Sequence, residues 1–360
     1  MSVLSGLKVL ELGGMGPGPF CGMMLADMGA DVAIIDRRED DGTDRAFDTL
    51  NRGKRSIHLD LKRVDDRETY MRMVGVCDMI IDPYRPGVAD RLGVGPDVCL
   101  ALNPRLIYGQ MTGWGQHGPL AHTAGRDLSY IAITGALDTI GTPDTPIPPI
   151  NLVGDYAGAL YLLAGLLAAH THALKTGRGQ VVDAAMCDGA ASLMTATHAY
   201  FRQGKWSTQR GRNFLDGSSP DYAVYRCADN RFIAFAAMER KSLAAALQHL
   251  GLSVEDFADP KDPAQRENLR DVLSAMFSTR TRDEWSALFD FTDCCIAPVL
   301  NIEEAIEHPH LQARGTFVDI GGVTQPAPAP RFSATPSMVG GIAPVPGSDA
   351  GELLRDWLSR

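Results

Sequence analysis

The 360-residue sequence contains no C-x-x-C pair, no P-loop, no G-x-S-x-G elbow and no H-E-x-x-H helix. The usual marks of thiol–disulfide exchange, nucleoside triphosphate binding, serine hydrolysis and zinc peptidases are therefore missing. It is also short of positive charge: 34 lysines and arginines stand against 44 acidic residues, for a net charge of -10. That balance excludes a general affinity for nucleic acid or an anionic membrane, and it leaves a small molecule as the expected partner, bound where local basic loops permit. The seven cysteines, scattered from Cys21 to the adjacent Cys294 and Cys295, form no disulfide framework and fit reduced thiols in a cytoplasmic protein. The apolar run from Tyr156 to Ala169 is too short to span a bilayer and reads as a buried helix. MSVLSGLKVLELGG lacks the apolar stretch and cleavage site of a secretory leader. The pairs His170/His172 and His308/His310 come without cysteines or carboxylates at ligand spacing, so no metal is expected. No repeat of solenoid period is present.

What is there is an alternation of strand and helix patterns. LKVLEL (7–12), the helix-compatible stretch 20–28 ended by Gly29, and DVAIID (31–36) form a strand, helix, strand unit of parallel type. CDMIID (77–82) and RLIYGQMT (105–112) extend it, so the expected class is α/β, with a large Rossmann-like domain over 1–190 to which 325–360 returns. A linker is expected over 191–224, and a smaller α/β domain over 225–315. There YRCADNRFIAFAAM reads as a hairpin turning at Asp229 and Asn230, TRDEWSALFD as a helix, and CCIAPVLNIEEAIEHPHL as a strand passing into a helix, with Cys294 and Cys295 buried in that strand. The stretch 316–346, rich in proline and small residues, reads as an extended connection, and GELLRDWLSR as a short amphipathic helix.

The loop GGMGPGPFCG that follows the first strand is a poor dinucleotide fingerprint. Gly16 and Gly18 match the first two glycines, but Cys21 stands at the third, and Pro17 and Pro19 have no amide hydrogen to donate. Asp36 could hold a ribose hydroxyl, yet Arg37 and Arg38 behind it suit a phosphate better; the alternative is a plain strand-to-helix turn with solvated charges behind it. Arg52, Lys54 and Arg55 in NRGKRS, and Tyr84 with Arg85 in DPYRPG, are further anion candidates that could each be an ordinary basic loop. Together they suggest a polyphosphate ligand.

Four stretches in order, MTGWGQHGPL (111–120), IPPINLVGDYAGA (147–159), GRGQVVDAAMCDGA (177–190) and LDGSSPDYAVYRCAD (215–229), closely resemble the α-methylacyl-CoA racemases of the type III CoA-transferase family. The resemblance runs from about Leu7 to Pro336 and implies a homodimer of interlocked chains with an acyl-CoA thioester as substrate and no prosthetic group. It implies that coenzyme A lies near Arg38, Leu59, Lys62, Tyr84, Arg85 and Leu92, and that Met15, Gly16 and Pro17 border the acyl pocket, where methionines suit a varied apolar chain. Without the resemblance, those methionines would be read as core filling.

Inverting a carbon beside a thioester carbonyl requires a proton to leave one face and another to return to the opposite face, with enolate charge stabilised between. The resemblance implies an aspartate at Asp155 and a supporting glutamate at Glu239; on the residues alone, Asp155 would be a helix N-cap after Gly154 and Glu239 a surface charge at a strand end. The family's histidine is replaced by Arg126, whose guanidinium stays protonated and cannot act as a base. Three readings follow. Asp155 remains a base while Arg126, paired with Glu239 or facing the thioester oxygen, stabilises the enolate, with water, Asp127 or His122 at the second face. Alternatively Asp155 is the nucleophile of a CoA transferase, which needs no histidine. In the third, the chain binds acyl-CoA without turning it over.

Overall fold

The computed structural model describes residues 1–37, 42, 44–254, 257 and 263–359, and these divide into two compact units. One comprises 1–136, 149–194 and 310–360, the other 137–148 and 195–309.

The first unit is organised by six parallel strands. In chain order its elements are β1 (Lys8–Leu12), α1 (Pro17–Asp27), β2 (Asp31–Asp36), β3 (Arg55–His58), α2 (Val64–Val74), β4 (Met79–Asp82), α3 (Val88–Leu92), α4 (Pro96–Leu102), β5 (Ile107–Thr112), α5 (Asp127–Ala132), α6 (Ala157–Thr176), β6 (Gln180–Ala185) and α7 (Met186–Leu193). The strand order β3-β2-β1-β4-β5-β6 reverses direction between β1 and β4. Most of its strand residues are apolar because helices cover both faces of a parallel sheet. Alternate residues feed two cores. Val9, Val32, Ile81 and Ile107 meet Cys21 and Leu25 of α1 and Leu162 and Leu166 of α6 on one face. Leu10, Ile35, Ile80 and Tyr108 meet Tyr70 and Met73 of α2 on the other.

Glu11 falls in register with the first face, a charge where the pleat demands an apolar side chain. Lys54 answers it: its ammonium donates to Glu11 Oε2 at 2.7 Å, to the Pro19 carbonyl at 2.9 Å and to Asn51 Oδ1 at 3.0 Å. Arg52 is as deeply buried and grips Asp27 at 2.6 Å, while Arg55 pairs with Asp31 and Asp356. The expected anion-binding role of NRGKRS is thereby overturned, since all three cations are bound to carboxylates inside the unit.

The apolar stretch also differs from its expectation. Helix α6 is longer than the run that suggested it, and Leu152–Thr176 is long and apolar enough by composition to cross a membrane. Here it packs along β5 and β6, with Leu162, Leu166 and Ala169 buried and Leu160, Tyr161 and Leu174 open on its outer side.

The second unit starts its longer segment with α8 (Thr195–Arg202), a helix in the stretch expected to be a linker. Strands β7 (Ala223–Arg226) and β8 (Phe232–Phe235) form the expected hairpin, with Asn230 at φ 61 in its turn. After α9 (Arg240–His249), α10 (Pro263–Phe277) and α11 (Arg282–Phe289), β9 (Ile296–Val299) completes a three-stranded antiparallel sheet and leads into α12 (Ile302–Glu307). Tyr225, Phe235, Phe277 and Trp285 fill this unit's core. Cys294 is buried but precedes β9, and Cys295 is exposed at φ 54, so the two thiols are not strand residues.

From His310, the second residue of α13 (Pro309–Ala313), the chain is again part of the first unit. The stretch expected to be extended holds a tight antiparallel hairpin, β10 (Phe317–Ile320) and β11 (Val323–Pro326), turned by Gly321 and Gly322 at φ 63 and 84. A glycine pair suits such a two-residue turn because both positions need positive φ. Last, α14 (Ala350–Leu358) lays Leu353 and Trp357 on the second core, and Trp357 Nε1 donates to Asp31 Oδ2 at 2.7 Å.

Candidate active site

A cavity of about 1000 Å³ opens at the C-terminal ends of β1, β2, β4 and β5, where the strand order reverses. Open parallel sheets bind ligands at such a switch point because the loops on either side diverge. Two turns approach closely there: a Cβ on Gly14 would lie 2.6 Å from the Pro83 ring. Only a glycine lets the loop after β1 pass the turn after β4.

Asp155 sits on the wall of this cavity, half-buried, in one π-helical turn (Leu152–Tyr156) that runs straight into α6. It is therefore not the N-cap expected of it; Asn151 holds that position. Asn151 Nδ2 donates to Asp155 Oδ2 at 3.2 Å, and the Asp155 amide donates to Asp127 Oδ1 at 2.7 Å. The carboxylate overhangs the first turn of α1, where a Cβ on Gly16, at φ 69, would come within 3.1 Å of Asp155 Oδ2. Burial, reinforced by the negative charge of Asp127, holds the Asp155 proton affinity above the usual aspartate range; Asn151 and Arg126 pull it partly back.

Arg126 lines the same cavity from the start of α5, exposed, its backbone amide donating to Ser129 Oγ at 2.8 Å. Its guanidinium makes no hydrogen bond or ion pair among the described residues. Next to it Tyr130 packs edge-on against Trp114, ring centres 4.7 Å apart, in space that Gly113 and Gly125 leave free. Beyond the ends of β2 and β3 the cavity is lined by Arg37, His58 and Lys62 with Asp36 and Asp60 among them, Arg85 joins from the turn after β4, and the Arg37 guanidinium lies 5.5 Å from the centre of the Tyr84 ring. Asp82, buried and pushed up to about 6 chiefly by desolvation, accepts the Tyr84 amide at 2.9 Å and so fixes that turn.

Of the residues singled out from sequence, Met15, Gly16, Pro17, Lys62, Tyr84, Arg85, Arg126 and Asp155 all line this one cavity. Leu59 does not: it is buried in the second core, against which Leu92 also packs. His122 is exposed beside the cavity-lining Ala121 and Thr123 and is not itself a wall residue. Glu239 is exposed at the N-terminus of α9 and belongs to the other unit. Arg38 lies outside the described residues. Sequence reasoning missed His58, Trp114, Tyr130 and Asn151, of which Asn151 alone carried a signal, four residues before Asp155 and one helical turn away. Among the described residues no cluster of three or more histidines, cysteines and carboxylates could hold a metal.

The model of CoA-transferase family III matches residues 4–350. The chain belongs to that family. Within CoA-transferase family III it is similar to the α-methylacyl-CoA racemase of Mus musculus, 38% identical over 359 residues that cover 99% of this chain and 93% of the mouse protein. The Homo sapiens racemase is 37% identical, covering 93% of this chain and 88% of its own. Among solved family structures, a CaiB/BaiF family protein from Brucella suis superposes with a TM-score of 0.83 at 26% identity, over 99% of both chains. The family's α/β architecture with its six-stranded parallel sheet is thus the one found here.

Proposed function

We propose that this family member is an acyl-CoA racemase or epimerase, which takes the α-proton from a 2-methylacyl-CoA and returns one through an enolate. The observation that carries the reading is the Asp155 carboxylate, half-buried on the cavity wall over the first turn of α1, with its proton affinity raised by burial. Similarity to the racemases at 37 to 38% identity supports the substrate class. The cations Arg37, Lys62 and Arg85 suit the phosphates of coenzyme A, leaving the acyl group near Met15, Gly16 and Pro17. Arg126, a permanent cation on the same wall, serves the enolate oxygen rather than the proton. The α-proton passes to Asp155 as the C–H electrons form the enolate; a proton from water on the far face completes the inversion, whereas return from Asp155 gives back the starting form.

The decisive experiment is proton NMR in deuterium oxide with the R and S forms of a 2-methylacyl-CoA supplied separately. We expect deuteration at the α-carbon of both forms with interconversion. Deuteration with retention would mean a single-faced base. No deuteration despite CoA binding would defeat the reading and favour a second one, acyl transfer, in which Asp155 attacks the thioester carbonyl and expels CoA thiolate to give a mixed anhydride, whose aspartyl carbonyl the thiolate then attacks, releasing the acyl group as its carboxylate and leaving Asp155 as a CoA thioester. That alternative is favoured by Arg126 standing where a histidine base is expected.

The chain is proposed to work as a homodimer in the cytoplasm, where its seven free thiols stay reduced. Leu160, Tyr161 and Leu174 of α6, with Val181 and Leu193, form an uncovered apolar surface of the kind a second copy would bury. Sedimentation should give twice the 38.8 kDa chain mass, and a monomer at micromolar concentration would refute the assignment.

A further inference from the structure

One group on the cavity wall, a second-face candidate in the sequence, takes no part in the proposed proton transfers. Asp127 is the first residue of α5 and is buried, at 8% exposure, which is an expensive place for a carboxylate. Its Oδ1 accepts the Asp155 amide at 2.7 Å, and its Oδ2 is buried with no partner among the described residues. Among the described residues no lysine or arginine pairs with it.

The backbone opposite explains what it does. In a regular helix the Asp155 amide would donate to the carbonyl of residue 151, four positions back. Instead that amide goes to Asp127, and the Asn151 carbonyl is taken by the Tyr156 amide, five positions on, at 3.3 Å. Diverting one amide therefore creates the π turn of Leu152–Tyr156. The diversion needs close approach, and Gly154 permits it: a Cβ there would lie 2.3 Å from Asp127 Oδ1. Single π turns often mark functional sites because they shift one residue out of the helical phase. Here the shifted residue is Asp155.

We propose that Asp127 is a positioning residue for Asp155: its carboxylate holds the turn that aims Asp155 over α1, and it sets a second negative charge behind that base. The inference rests on the proposed function for its activity readout alone. Around Asp155, α5 supplies Arg126, Asp127 and Tyr130; Cys187 at the start of α7 and Arg85 in the turn after β4 act on Tyr130 and not directly on Asp155. The first turn of α1, Pro17 to Phe20, carries no titratable group. Asp127 is the sole anion in this set that acts directly on Asp155.

Two variants separate geometry from charge. Asp127→Asn keeps an oxygen to accept the amide and removes the charge; Asp127→Ala removes both. In Asp127→Asn the acid limb of the pH–rate profile for α-proton exchange should move to lower pH with the plateau rate retained. In Asp127→Ala the plateau should fall about 100-fold, the scale of a misplaced reacting group, with KM unchanged. A second readout needs no turnover: carbon NMR of aspartate labelled at the side-chain carboxyl, with the Asp155 signal assigned by its loss in Asp155→Asn. The Asp155 titration should move to lower pH in Asp127→Asn. Wild-type titration of Asp155 in both variants would overturn the inference, whether or not the protein exchanges α-protons. A shifted titration in a protein that exchanges no α-proton would sustain the positioning role and refute the racemase reading.

Discussion

Replacing Asp155 with asparagine is expected to lower α-proton exchange by about 10²- to 10⁴-fold, the usual worth of a positioned acid/base group, and to leave affinity for coenzyme A unchanged. The side chain is isosteric and the backbone amide that holds the turn to Asp127 is untouched, so the loss would report chemistry rather than architecture. CoA affinity should survive because the part of the cavity with Lys62, Tyr84 and Arg85 is built by the loop after β3 and the turn after β4. Isotope exchange and CoA titration by calorimetry would measure the two quantities. Exchange at the wild-type rate in Asp155→Asn would remove Asp155 from the role of base. Transfer chemistry predicts a different signature: an aspartyl thioester that hydroxylamine traps on the wild-type chain and not on Asp155→Asn.

The second large effect is on stability. Changing Lys54 to methionine should destabilise the protein by about 3–5 kcal/mol, because it strands the Glu11 carboxylate in the core. The two side chains are 0% and 1% exposed, and Glu11 Oε1 has no partner among the described residues even in the intact pair. Burial raises the proton affinity of Glu11 and lowers that of Lys54, and each partner opposes the effect on the other. Without Lys54 the Glu11 carboxyl would hold its proton still more firmly. A carboxyl with a raised folded-state pKa favours folding below its unfolded pKa and loses that contribution as pH rises through the folded value. The defect should therefore be larger at pH 8 than at pH 5. Urea denaturation of Lys54→Met at both pH values, with the double variant Glu11→Leu/Lys54→Met, provides the check. The double variant should recover most of the loss, since a hydrophobic pair can replace a buried ion pair of similar volume. Equal stability of Lys54→Met and wild type at pH 8 would refute this account.

The parallel strands were legible because each is a short apolar run bounded by turn residues, and because strand, helix and strand recur at crossover spacing. Asp155 was legible through the motif around it, but its setting was not. The π turn depends on Asp127, 28 residues away in the chain, and no local pattern announces that an amide will be diverted. The same limit explains NRGKRS. A basic loop that binds an anion and one that folds inward onto Glu11, Asp27 and Asp31 have the same composition; the choice lies in partners 24 to 43 residues off. Leu59 and Leu92 illustrate the converse, apolar side chains whose place in the core follows from the sheet register. The hairpin at Gly321 and Gly322 was hidden by the prolines around it, although a glycine pair flanked by β-branched residues is a turn signal in its own right.

Helix α14 has a consequence for how the molecule assembles. Its closures reach almost the whole length of the chain: Trp357 to Asp31 spans 326 residues, and Asp349, which receives the Ser56 amide at 2.8 Å, spans 293. Such pairings raise contact order and must wait for the loop between them to be closed. A ribosome delivers α14 after its partners, so β2 and β3 emerge, and the second unit between them and α14 is made, before the helix that covers their face exists. The nascent first unit therefore carries an open apolar seam until α14 is made, and that helix acts as the latch.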